Sequence, residues 1–224
     1  MIRIIAGEFR SRELLAPRDD SISRPYNSRV KESVFNLLRG WFEGATVLDL
    51  FAGVGTMGLE AVSRGAARVY MIERDRNIHE LLRKNIEALG CADRATAMLG
   101  DALGPLSLAR APRPADIIFI DPPYQLMEDE HMRPRMLEQI ARMRELMGDR
   151  GFVVLRSPIG QSEADLSIPG FHGPEIHRYG QEMHVLLYSP APIESKAEPG
   201  EREYPFRPEI TSRVESPGPD APEE

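Results

Sequence analysis

The stretch Thr46-Val-Leu-Asp49-Leu-Phe51-Ala-Gly53-Val-Gly55-Thr56-Met-Gly58 constrains the fold more than any other part of the chain. A run of β-formers ends in an acid. A glycine-rich turn follows, and then a helical pattern from Gly58 to Arg64. Such a unit presents backbone N–H groups to a ligand at the carboxyl end of a strand. Gly53, Gly55 and Gly58 match G-x-G-x-x-G, and Glu73 lies twenty residues after the first of them. Glycine permits positive φ and close approach of a ligand to the backbone. Glu73 ends a second strand, where a carboxylate can accept from both hydroxyls of a ribose. A plain strand-to-helix turn could use the same glycines, so the loop by itself leaves the ligand open.

The rest of the chain alternates strand and helix around this unit. Strands are expected near 45–50, 68–73, 95–100, 115–120 and 151–156, with helices near 56–64, 75–89 and 131–147. Ile117-Ile-Phe-Ile120 and Phe152-Val-Val-Leu155 are apolar without alternation, as in a parallel sheet covered on both faces. Glu175–His177 and His184–Tyr188 read as two strands joined through Gly180, an antiparallel edge on that sheet. Ahead of the unit, residues 3–6 and 12–15 read as a small hairpin. Asn27 or Ser28 can cap a helix running to about Arg39, with Val30, Val34, Leu37, Leu38 and Trp41 on its packed face. Arg29, Lys31 and Glu32 fall outside that face. The expected fold is α/β and Rossmann-like, with a mostly parallel seven-stranded sheet. It carries an N-terminal extension over 1–40, a main domain over 41–189 and a tail over 190–224.

Three acids narrow the ligand. Asp49 stands four residues before Gly53, where a dinucleotide pyrophosphate would meet it with like charge. Facing an α-ammonium, it can accept a hydrogen bond, or it can order the loop. Asp101 follows the third strand and can accept from an adenine amine. The fourth strand ends in Asp121-Pro122-Pro123-Tyr124. Proline fixes φ and removes donors. The Asp121 side chain and the Asp121 and Pro122 carbonyls thus form a rigid acceptor set for an –NH2 group, and Tyr124 offers a face for a base. Holding both hydrogens of a heteroaromatic amine favours a pyramidal nitrogen and aims its lone pair, so orientation rather than a strong base would drive transfer. These features point to S-adenosylmethionine rather than a nicotinamide.

The charge distribution bears on the partner. The chain has 224 residues, 42% hydrophobic, with a net charge of −7. Pro190–Glu224 contributes −5 of that and holds eight prolines, a composition expected to stay disordered. Residues 1–40 carry +3. Arg3, Arg10, Arg12, Arg24 and Arg29 could be ordinary solvated charge, or as a group they could contact phosphates. The single cysteine, Cys91, permits no intrachain disulfide or cysteine-cluster metal site, and the histidines show no metal spacing. No apolar run is long enough for a membrane span and no signal peptide is evident, so cytoplasm is the expected compartment.

With these residues assembled, the sequence resembles the RsmD family of bacterial 16S ribosomal RNA guanine-N2 methyltransferases over about residues 3–189. The resemblance rests on Arg3-Ile-Ile-Ala-Gly7, Arg10, Arg12, Leu14, Arg24-Pro25, Arg29-Val-Lys-Glu32 with Phe35-Asn36, Asp49-Leu-Phe-Ala-Gly53, and Gly58 to Gly65. It implies a class I methyltransferase that uses S-adenosylmethionine to methylate the guanine usually numbered 966 in 16S rRNA. The partner would be an assembling small subunit, met by a monomer with no membrane involved. Asp121, Pro122 and Tyr124 are the expected catalytic residues. Asp49, Phe51, Gly53, Gly55, Glu73, Asp101 and Ala102 are the expected cofactor-binding residues. Arg10, Arg12, Arg24 and Arg29 are the expected RNA contacts. No metal is expected. The chain departs from the family at Tyr26 and Ser28, where Thr and Asp are usual, and at Ser11, where Gly is common. A DNA adenine-N6 or other nucleobase amino-methyltransferase is the nearest rival reading. A nicotinamide-dependent oxidoreductase and a binding module that has lost activity are more distant ones.

Overall fold

The computed structural model describes residues 2–17, 28–160, 164–180 and 183–192. Arg24, Tyr26 and the tail beyond residue 192 lie outside the described residues. In chain order the strands are β1 (Ile2–Arg3), β2 (Glu13–Leu14), β3 (Thr46–Leu50), β4 (Arg68–Glu73), β5 (Ala95–Leu99), β6 (Ala115–Ile120), β7 (Met147–Ser157), β8 (Phe171–Tyr179) and β9 (Met183–Pro190). The helices are α1 (Ser28–Leu37), α2 (Gly58–Ser63), α3 (Arg76–Leu89), α4 (Pro105–Arg110), α5 (Tyr124–Glu128) and α6 (Met132–Arg142).

Seven strands form one sheet in the order β5-β4-β3-β6-β7-β9-β8. Strand order reverses between β3 and β6, so both strands open their carboxyl ends into one crevice. The two C-terminal strands form the expected antiparallel edge, with β9 pairing to β7 and β8 outermost. The apolar run of β6 packs on both faces. Ile117 and Phe119 join a core with α1, α2 and α3, while Ile118 and Ile120 join a second core with α5 and α6. This is the physical reason that β6 shows no alternation.

Helix signals worked where capping was local. Asp75 caps α3 by accepting from the Asn77 and Ile78 N–H groups, and Gly90 ends it at φ 68°. The expected helix over 131–147 breaks earlier. A 3₁₀ turn over Met143–Leu146 follows α6, and β7 already begins at Met147. Arg144 is buried beneath this break, donating to the Met147, Gly148 and Ala191 carbonyls. The short helices α4 and α5 have too few residues to show a period.

The N-terminal segment shares the core of the sheet. Ile4, Phe9, Leu14, Val34 and Phe35 pack in one cluster with Val47, Leu59 and Phe119. The polar join is equally direct. Glu60 of α2 accepts from the Ile5 and Ala6 N–H groups at 2.7 and 3.0 Å, and pairs with Lys31 at 3.1 Å and Arg64 at 2.9 Å. Ser63 accepts from the Phe9 N–H and donates to the Ala6 carbonyl. At Ser11, the hairpin turn takes φ 67°, a conformation that glycine adopts without strain, which explains the residue usual at that place.

Candidate active site

The site forms where β3, β4, β5, β6 and β7 end. Asp49 is 1% exposed, and its Oδ2 accepts from the Gly58 N–H at 2.8 Å. Of the two roles open to it, the structure shows the ordering of the loop. Burial raises the Asp49 carboxyl to about 8; the nearby Asp121 and Glu73 push the same way, and the Gly58 hydrogen bond opposes them. Phe51 turns the chain at φ 62°, and the Ala52 N–H donates to the Ile72 carbonyl. Glu73 Oε2 accepts from the Gly53 N–H at 3.0 Å and Oε1 from the Asp75 N–H at 2.7 Å. Thus Glu73 braces the loop from the neighbouring strand.

The three glycines do different work. A Cβ on Gly55 would lie 2.6 Å from Leu82 and 2.8 Å from Leu59, and one on Gly58 would lie 2.6 Å from Met71. These two positions allow α2 to pack tightly. Gly53, at φ 57°, would direct a Cβ into open space. Its Cα, beside the N–H that Glu73 holds, is therefore the part of the loop that a ligand can approach. Asp101 is exposed just past β5, and its Oδ1 accepts from the Leu103 N–H at 3.0 Å. Ala102 is buried beside it.

Asp121 follows β6 directly beside β3, its N–H reaching the Leu50 carbonyl at 3.4 Å. Pro122 is buried, Pro123 stands just before α5, and Tyr124 is the first residue of that helix. Asp121 forms an ion pair with Arg156, at the end of β7. Burial raises the Asp121 carboxyl to about 7 against the pull of that guanidinium. The guanidinium carbon also lies 5.3 Å from the Tyr124 ring centroid. Sequence reasoning missed Arg156. The available signal was positional: it is the first polar residue after the run Phe152–Leu155, as Asp121 is after Ile117–Ile120.

The described arginines differ in what they touch. Arg10 is exposed on the hairpin. Arg12 donates to the Ala88 carbonyl at 2.7 Å, which ties the hairpin to the end of α3. Arg29 lines a groove of about 360 Å³ along α1 with Glu32, Ser33, Asn36 and Leu37. Ser33 Oγ lies 2.6 Å from the Tyr179 hydroxyl, which joins α1 to the edge strand. Among the described residues no cluster of His, Cys, Asp and Glu could hold a metal ion. Nor is any helix among them long and apolar enough to cross a membrane.

A family model described as "Conserved hypothetical protein 95" matches residues 2–188. The chain belongs to this family. A curated relative from Escherichia coli strain K12, named Ribosomal RNA small subunit methyltransferase D, is 41% identical over 124 residues. One of the same name from Haemophilus influenzae is 35% identical over 126 residues. Each match covers 55% of this chain, but only 61% and 64% of the relatives' own lengths. The solved structure of yhhF from Escherichia coli aligns with a TM-score of 0.69 and 29% identity, covering 84% of this chain and 97% of that one. The architecture is the Rossmann-like fold of class I methyltransferases, as the sequence led us to expect. The family resemblance drawn from the sequence is also borne out.

Proposed function

We propose that this chain methylates the exocyclic N2 amine of a guanine in small-subunit ribosomal RNA with S-adenosylmethionine as donor. The position usually numbered 966 follows from the family resemblance. The observation that carries the reading is the pairing of two strand ends. Asp121-Pro122, fixed by its prolines and followed by Tyr124, lies beside the loop that Asp49 and Glu73 hold. The named relatives are small-subunit rRNA methyltransferases, which favours RNA over DNA as the substrate.

The residues present fit that donor. When bound, S-adenosylmethionine supplies an electrophilic methyl group on a sulfonium and carries an α-ammonium. Asp49 and Asp121 place carboxyls where cations are needed; burial raises both, and a bound cation would draw them back towards ionisation. Open space in front of Gly53 leaves room for a ligand against the backbone. Glu73 has lone pairs left on both oxygens for ribose hydroxyls, and Asp101 stands on the neighbouring strand end for an adenine amine. Phe51 and Ala102 line the approach.

On the acceptor side, Tyr124 stacks the base while Asp121 and the Pro122 carbonyl accept the two amine hydrogens. The nitrogen lone pair is thereby aimed away from the ring plane. As the amine gains its methyl, the proton it sheds passes to Asp121. A carboxyl near 7 is a better acceptor for that proton than one of ordinary value. Arg10, Arg12, Arg24 and Arg29 contact phosphates and position the strand. A small-subunit rRNA substrate places the work in the cytoplasm, on an assembling particle.

The test is methyl transfer from labelled S-adenosylmethionine to 16S rRNA that lacks modification, followed by mass-spectrometric mapping. N2-methylguanine at one site, lost in Asp121→Ala, is expected. Label on adenine, or none in RNA, would overturn the reading.

A further inference from the structure

Arg156 has no part in the site as the sequence presents it. Ile120 pairs with Leu155, so Asp121 and Arg156 are neighbours at the ends of adjacent parallel strands. Alternation puts both on the same face of the sheet as Asp49. Val47, Phe119 and Val154, each two residues earlier on its strand, all belong to the core beneath α1, α2 and α3. Arg156 is 6% exposed. A cation in such a place needs a counter-charge and a surface to lie on. It has Asp121 as the first and the Tyr124 ring as the second.

We propose that Arg156 is the positioning residue of the acceptor pocket: its guanidinium holds Oδ1 of Asp121 and covers one face of Tyr124, leaving Oδ2 and the opposite face to seat the target base. This rests on the assignment of Asp121 and Tyr124 to the amine and the base. It adds a specific order to the pocket. The stack runs guanidinium, phenol ring, base, with the carboxylate bridging its two ends. Planarity matters, because a guanidinium can lie against a ring and reach a carboxylate at once, whereas an ammonium is a point charge.

The same contact governs the charge of Asp121. Among the described residues, the charged groups coupled to it are Arg156 from β7 and Asp49 from β3, with the Tyr124 phenol nearby on α5. Burial disfavours the carboxylate, and Arg156 sustains it. A protonated Asp121 would donate to the amine instead of accepting from it. Removal of Arg156 should therefore move the acid limb of the kcat profile to higher pH. A residue that merely filled space would leave that limb in place.

The experiment measures kcat and KM for methyl transfer to unmodified 16S rRNA, naked and with small-subunit proteins, from pH 6 to 9. Wild type is compared with Arg156→Gln, Arg156→Lys and Asp121→Asn, each first checked for cooperative urea unfolding. Arg156→Gln should lower kcat at pH 7 by about 100-fold, as misplacement of a reacting group does. It should also raise the acid limb by about one pH unit or more, as loss of an adjacent opposite charge does. Arg156→Lys should keep the limb near its place but lose about 10-fold in kcat, because it keeps charge and loses planarity. A wild-type kcat and limb in Arg156→Gln would overturn the proposal. If that variant does not fold, undiminished kcat in Arg156→Lys would overturn it equally. Asp121→Asn separates the two levels. If it retains full activity, the acceptor site itself is misassigned; if it is inactive while the Arg156 variants are normal, only the role of Arg156 fails.

Discussion

The Lys31 ammonium and the Glu60 carboxylate meet 3.1 Å apart with 3% and 0% of their side chains exposed. The pair joins α1 to α2, and so fastens the N-terminal segment to the helix that follows the glycine loop. Burial pushes the Lys31 ammonium below its usual range, and Glu60 pulls it back. Glu60 also satisfies two backbone N–H groups and Arg64. Removal of one partner of a buried pair strands the other. Glu60→Ala is expected to cost about 3–5 kcal/mol in urea unfolding. Lys31→Met should cost less, because Arg64, Ile5 and Ala6 still serve the carboxylate.

Asp49 makes stability depend on pH. Burial holds its folded-state carboxyl at about 8, well above its ordinary value of 3.8. Between these values the folded protein keeps a proton that the unfolded chain has released, so stability is lost as pH rises. The slope from this one group is about 1.4 kcal/mol per pH unit at most. Asp49→Asn, whose amide oxygen can still accept from Gly58, should flatten the profile by about that amount between pH 5 and 7. Urea titrations at several pH values measure it. An unchanged slope would mean that Asp49 is ionised in the folded state.

Proton release on cofactor binding follows from the same burial. A bound α-ammonium or sulfonium favours the ionised carboxylate. At pH 7, binding of S-adenosylmethionine should release up to about one proton, read as a dependence of the calorimetric heat on buffer ionisation enthalpy. Asp49→Asn should reduce that release. Heat that is identical in all buffers would show that the cofactor's charge does not face these acids.

Gly53 and Gly55 should fail in different ways. Both have positive φ, which costs an L-residue about 1–2 kcal/mol. Gly55→Ala adds contact with Leu82 and Leu59, and its loss should appear mainly in stability. Gly53→Ala meets nothing within the protein. Its methyl occupies the space left for a ligand, so cofactor affinity should fall by more than stability does. Calorimetry and urea unfolding on both variants distinguish the two.

The sheet was legible because each strand is a contiguous run. Thr46–Leu50, Arg68–Glu73 and Ala115–Ile120 lie within a residue of where the composition puts them. The glycine loop and its acids were legible because their spacing is local. The partners of those acids were not. Lys31 falls off the apolar face of α1, and nothing near it in sequence shows that Glu60 waits there. Arg156 meets Asp121 only through strand register, 35 residues away. The antiparallel insertion of β9 is a matter of strand order, on which the hairpin sequence is silent.

The three described arginines proposed for RNA should separate by what else they hold. Each that neutralises a phosphate should, when removed, reduce the slope of log affinity against log salt by about 0.7 for a single strand. Arg10→Ala should show that change with little loss of stability, because its side chain is exposed, and Arg29→Ala should show the same change in slope. Arg12 also holds the Ala88 carbonyl, so Arg12→Ala should lower stability as well as affinity. Binding of 16S rRNA fragments at several salt concentrations, beside urea unfolding, reads both. A salt slope unchanged in all three variants would place the RNA on another face.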